Sequence, residues 1–158
     1  MLQMVGVDTT RICVSRNRPT RSLSMSLCMV DPMAGDSDAG RLVQDYVAGW
    51  KAADSGLILN TLERDCIVIE SHGPTYRGRD QVKRWVESWF AEGNTIDRWD
   101  ITSLLIADDD CAFEWNFSCT VGGVGRSFDG ASVARLEGGK IALLREYRMT
   151  QHPFEWTG

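Results

Sequence analysis

RSFDGASVARLEGGKIALLREYRM, residues 126–149, reads as two strands and the tight turn between them. Glu137-Gly138-Gly139 separates two runs rich in Val, Leu, Ile and aromatic residues, and paired glycines supply the positive φ angles that a short hairpin needs. Upstream, residues 111–121 and 95–106 carry the same β pattern, with turns marked by Gly122-Gly123 and Asp108-Asp109-Asp110. These turns are too short for crossover helices, so the four strands form an antiparallel meander. From Cys111 to Cys119 the odd positions are Cys, Phe, Trp, Phe and Cys, while Glu114, Asn116 and Ser118 stand at even ones. One sheet face is therefore greasy and the other polar, and a second subunit could cover either.

The helices precede the meander. Leu42, Val43, Tyr46, Val47, Trp50 and Ala53 recur at three- and four-residue intervals after Asp36, Ser37 or Asp38, any of which can cap. Asp54-Ser55-Gly56 breaks this helix, and Asp54 or Ser55 caps a short second one carrying Leu57, Ile58, Leu59 and Leu62. CIVIES, residues 66–71, suits a strand, and Gly73-Pro74 turns the chain. The strongest helical pattern is Arg79–Ala91, with Val82, Trp85, Val86, Trp89 and Phe90 on one face and Gly93-Asn94 at its end. Three helices against one face of a single antiparallel sheet make an α+β domain over residues 36–158.

Composition narrows the function. A chain of 158 residues, 43% apolar and 25% charged, fits one domain. A net charge of -5 opposes nucleic acid or an anionic membrane as partner. No apolar run is long enough to span a bilayer and no export signal is evident, so the expectation is a soluble, cytoplasmic protein. Five widely spaced cysteines and two histidines suggest neither a disulfide framework nor a metal site, and no cofactor is expected. Residues 1–35 differ: Arg11, Arg16, Arg18 and Arg21 outnumber Asp8 and Asp31, and the apolar residues keep no period. This stretch reads as a disordered leader; an organelle transit peptide, or translation from an upstream start codon, would give the same composition.

Tyr76-Arg77-Gly78-Arg79-Asp80, Phe128-Asp129-Gly130, Gly139-Lys140-Ile141 and Arg145-Glu146-Tyr147, in that order and spacing, resemble the nuclear transport factor 2-like superfamily. The likeness is to its SnoaL-like polyketide cyclase and ketosteroid isomerase branches, over about residues 38 to 149. The resemblance implies a cone-shaped shell, a curved sheet wrapped over three helices around an apolar pocket, and a homodimer packed through the sheet's outer face. Ketosteroid isomerases use a carboxylate base near the end of the first strand, with a tyrosine and a protonated aspartate as donors. The resemblance puts Ser132 in place of that aspartate, and Glu70 and His72 nearest the base.

Among residues suited to chemistry, Glu114 comes first, because a carboxylate between Phe113 and Phe117 gains pKa from apolar walls. Glu146 would face it across the sheet, or else pair with Arg145, Arg148 or Arg135. His72 sits at the expected pocket mouth, and histidine is the side chain best suited to changing charge near neutral pH. Tyr46, Trp50 and Trp99 are candidates for lining the pocket or for the core, and Asp129 beside Gly130 for a bulge. Gly122-Gly123-Val124-Gly125 joins strands without a following helix, so it is no phosphate loop. The expectation is a cofactor-free isomerase, cyclase or hydratase acting on a small apolar molecule through Glu114, Glu146 and His72. Glu70, Tyr46, Trp50, Trp99 and Ser132 would bind the substrate. The alternative is a non-catalytic ligand-binding or dimerisation module.

Overall fold

A computed structural model describes residues 37–158; the expected leader lies outside the described residues. Helix α1 spans Asp38–Lys51, α2 Ser55–Asn60 and α3 Arg79–Ala91. The strands are β1 Leu62–Ile69, β2 Thr75–Arg77, β3 Thr95–Ala107, β4 Asp110–Val121, β5 Val124–Glu137 and β6 Lys140–Arg148. Among the alternative caps, Ser37 and Asp54 serve. The Ser37 hydroxyl accepts from the Gly40 amide at 3.0 Å, and the Asp54 carboxylate from the Leu57 amide at 2.9 Å.

All six strands join one curved, unclosed sheet in the order β2-β1-β6-β5-β4-β3. The meander is as expected: Glu137 pairs with Lys140 across a two-residue loop in which Gly138 and Gly139 have φ of 57° and 74°. The first strand adds something that the spacing does not reveal. β1 runs parallel to β6, with Val68 opposite Leu144 and Ile69 opposite Arg145, so the sheet is mixed. The short β2 then pairs antiparallel with β1 at the edge.

Alternation along the meander puts Phe113, Trp115 and Cys119 in the buried layer together with Ala134 and Leu144, against Val43, Tyr46, Val47 and Trp50 of α1 and Val82 and Val86 of α3. The greasy face therefore meets the helices. On the outer face Leu105, Val133 and Tyr147 remain about half exposed. No helix among the described residues is long and apolar enough to cross a membrane, and the described cysteines, Cys66, Cys111 and Cys119, are free and buried.

Gly130 does not mark a bulge. The β4–β5 register runs unbroken through Trp115 opposite Gly130. A Cβ on Gly130 would lie 2.2 Å from the Trp115 ring and 2.3 Å from the Tyr147 carbonyl oxygen. The residue is glycine because an indole and a neighbouring strand occupy that space. Overpacking of this kind costs about 1–3 kcal/mol, and here backbone as well as side chain must yield. Gly130→Ala is expected to lower the melting temperature by roughly 10 °C. A calorimetric scan showing no change would refute this account of the position.

Candidate active site

The cavity between α1, α3 and the sheet's inner face begins with one helical turn. Tyr46 and Trp50 stand four residues apart on α1, which sets both rings on the same side. From α3, Trp85, Trp89 and Phe90 meet Trp50 with ring centroids 4.9, 5.8 and 5.5 Å away. Trp99 of β3 approaches Tyr46 edge-on at 6.0 Å and Phe117 at 5.3 Å. Tyr46, Trp50, Trp85, Trp89, Trp99, Trp115 and Phe117 bound a cavity of about 340 Å³, within the range of small-molecule sites; Phe90 packs behind Trp50.

Polar groups inside it are few and largely free. The Tyr46 hydroxyl and the indole nitrogens of Trp50 and Trp99 are buried and make no hydrogen bond among the described residues. Buried polar atoms are normally satisfied, so three idle groups around one cavity suit a ligand with acceptor atoms. Trp115 differs, because its Nε1 donates to the Ser132 hydroxyl at 2.9 Å. Ser132 is fully buried and does not line the cavity; it holds the Trp115 wall in place.

Two carboxyl groups complete the site. Glu70 follows β1 and Glu146 lies in β6. Because Ile69 stands opposite Arg145 in the parallel pair, the next residue of each strand falls in the same cross-strand row. Both line the cavity, and the Glu70 side chain is only 13% exposed. Burial lifts Glu70 from the ordinary 4.5 to about 7. Burial, and then the neighbouring Glu70 charge, raises Glu146 well above the usual carboxylate range. One charge in this pair disfavours the second, so the two titrate as a unit. Burial first, then Glu146 and Glu70, also raises the Tyr46 phenol. The Trp50 indole opposes this weakly, without meeting hydrogen-bonding geometry. His72, half exposed at the rim, brings Nδ1 to 3.5 Å from Glu70 Oε2.

Register decides which expected residues meet. Ser132 pairs with Phe113 on one side and Glu146 on the other, whereas Ala131 pairs with Glu114 and Tyr147. Glu114 and Glu146 therefore point to opposite faces. Glu114 is exposed on the outer face and lines no part of the aromatic cavity, so it cannot face Glu146 there. Glu146 makes no ion pair among the described residues; Arg135 is paired instead with Asp110 at 3.0 Å. The cavity brings together Glu146, Glu70, His72, Tyr46, Trp50 and Trp99. Sequence reasoning passes over Trp85, Trp89, Phe117, Phe128, Arg126 and Arg148 as cavity residues. Strand parity finds Phe117 once the greasy face is known to be inside. Among the described residues no group of three or more His, Cys, Asp or Glu is placed to hold a metal ion.

The sequence profile of the SnoaL-like domain matches residues 43–144, which takes in most of α1, all of α3 and most of the sheet. The chain belongs to the SnoaL-like domain family. The SnoaL-like fold recurs in solved structures at low identity. A putative polyketide cyclase from Pseudomonas putida superposes with a TM-score of 0.64 at 20% identity, covering 71% of this chain and 92% of that one. An LEH-like epoxide hydrolase of M. tuberculosis gives 0.65 at 16%, covering 71% and 83%. A hypothetical protein with a ketosteroid isomerase-like fold from Catenulispora acidiphila, bound to trimethylamine, gives 0.59 at 21%, covering 67% and 83%. No curated protein matches the chain.

Proposed function

We propose that this SnoaL-like protein is an acid–base enzyme that moves a proton on a small apolar carbonyl compound, in the manner of an isomerase or cyclase. The supporting observation is the Glu70–Glu146 pair in an aromatic cavity, where burial raises one carboxyl to about 7 and the other well above the usual carboxylate range. A base whose pKa lies near the working pH is both available and strong enough to take a proton. In the proposed step Glu70 removes a proton from the carbon next to the carbonyl. The C–H electron pair moves to the oxygen as an enolate, and Glu70 becomes the acid. Protonated Glu146 and the free Tyr46 hydroxyl donate hydrogen bonds to that oxygen. Returning the proton to a different carbon isomerises the substrate; attack of the enolate on an internal electrophile cyclises it. In this scheme His72, whose Nδ1 lies 3.5 Å from Glu70 Oε2, exchanges protons between Glu70 and solvent. These groups suffice for the step without a cofactor.

The test is deuterium incorporation at the α-carbon of 2-tetralone and related ring ketones in D2O, followed by NMR. Exchange faster than buffer, and lost in Glu70→Gln, is the expected result. No acceleration with any of these ketones sinks the proposal.

We further propose a homodimer through the outer sheet face, supported by Leu105, Val133 and Tyr147 exposed there together. Sedimentation is expected to give a dimer at micromolar concentration and a monomer for Val133→Glu. A wild-type monomer throughout that range counts against it.

A further inference from the structure

The inner-face row that carries Glu146 continues outward to a cation. Arg148 follows two residues later on the same face, about 7 Å further along the strand. On the adjacent strand, Phe128 and then Arg126 occupy inner-face positions, since Phe117 pairs with Phe128 and Cys119 with Arg126. Both arginines line the cavity. The Arg148 guanidinium lies over the Phe128 ring, 5.6 Å from its centroid. Neither forms an ion pair among the described residues, whereas Arg98 and Arg135 pair with Asp100 and Asp110. Asp129, three residues beyond Arg126 in sequence, is engaged by the Asn116 side-chain amide at 2.6 Å. The cavity is thus polarised, with a carboxyl pair deep in an aromatic box and two uncommitted guanidinium groups at its open end.

We infer that the substrate of this cavity is an organic acid: an apolar ring body with a carboxylate or equivalent planar oxyanion that Arg148 and Arg126 bind at the mouth. Guanidinium forks match planar oxyanions in geometry and charge. Held there, the anion places the ring body between the tryptophans and fixes which carbon meets Glu70. Arg148 and Arg126 are binding residues in this scheme and take no part in proton transfer. The inference rests on the cavity being the substrate site, and it names the substrate class.

Isothermal titration with 1-naphthylacetate and its neutral amide, 1-naphthylacetamide, tests it without requiring turnover. The wild-type protein is expected to bind the acid about tenfold tighter than the amide. Arg148→Gln and Arg126→Gln should each lower affinity for the acid while leaving the amide unchanged. Arg135→Gln, whose ion pair lies away from the cavity, should alter neither. Equal affinities in the wild type, binding of neither probe at millimolar concentration, or equal losses for both probes in the arginine variants would overturn the inference. Glu70→Gln should keep the preference for the acid. If exchange fails while that preference holds, only the acid–base reading falls.

Discussion

Glu70→Gln is expected to lose about 10²–10⁴ of any α-proton exchange the wild type catalyses. The glutamine keeps the size and hydrogen-bonding shape of the carboxyl but cannot take a proton. In the wild type the rate should rise with pH through a midpoint near 7, because burial holds Glu70 there, and then level off. A fall should appear only at higher pH, where the raised Glu146 finally ionises and its donor is lost. These limbs belong to the pair, so Glu146→Gln should move the first midpoint as well as remove the second. Tyr46→Phe should slow exchange by roughly tenfold, the loss of one donor to the developing oxyanion. A profile flat from pH 5 to 9, or unchanged in Glu70→Gln, would exclude Glu70 as the base.

The same carboxyl makes folding depend on pH in the less common direction. Glu70 ionises at an ordinary 4.5 when unfolded and at about 7 in the native cavity. Between those values the folded chain binds more protons than the unfolded one, so stability falls as pH rises from about 4.5 to 7 and then levels. The shift corresponds to about 3 kcal/mol, and Glu146 extends the decline to higher pH. Glu70→Gln should therefore be more stable than the wild type at pH 8, by up to about 3 kcal/mol, while being a poorer catalyst. At pH 4 the advantage should vanish. Urea titrations at the two pH values decide this: a variant less stable at pH 8 would mean that the carboxylate has compensating partners. On the proposed mechanism, this opposition of stability and function is what a buried base produces.

Much of the fold is legible because local signals agree. The Arg79–Ala91 periodicity, the glycine turns and the alternation in β4 each follow from residues close together in the chain. The site is legible only in its members. Glu70, Glu146, His72, Tyr46, Trp50 and Trp99 all stand out in the sequence, but Glu114 takes the centre there because its aromatic neighbours in the chain look like its surroundings. In a strand those neighbours point the other way, so Phe113 and Trp115 are buried on the inner face while Glu114 faces outward. The pairing of Glu70 with Glu146 depends on β1 lying beside β6, a contact between distant segments that leaves no local mark. Ser132 occupies a position expected to touch substrate, whereas its hydroxyl supports an indole that forms the wall.

The parallel seam between β1 and β6 also has a consequence for the order of events during synthesis. The first strand of the sheet finds its neighbour in the last, roughly seventy residues later. At about 5–20 residues per second, a ribosome emits β1 several seconds before β6 exists. Through that interval Ile67 and Val68 have no parallel neighbour, and Glu70 sits without the second carboxyl beside it. Long-range closure of this kind slows folding. Any chain that stops short of residue 140 lacks the seam, and with it the Glu70–Glu146 pair, so the cavity is completed only as the final strand docks.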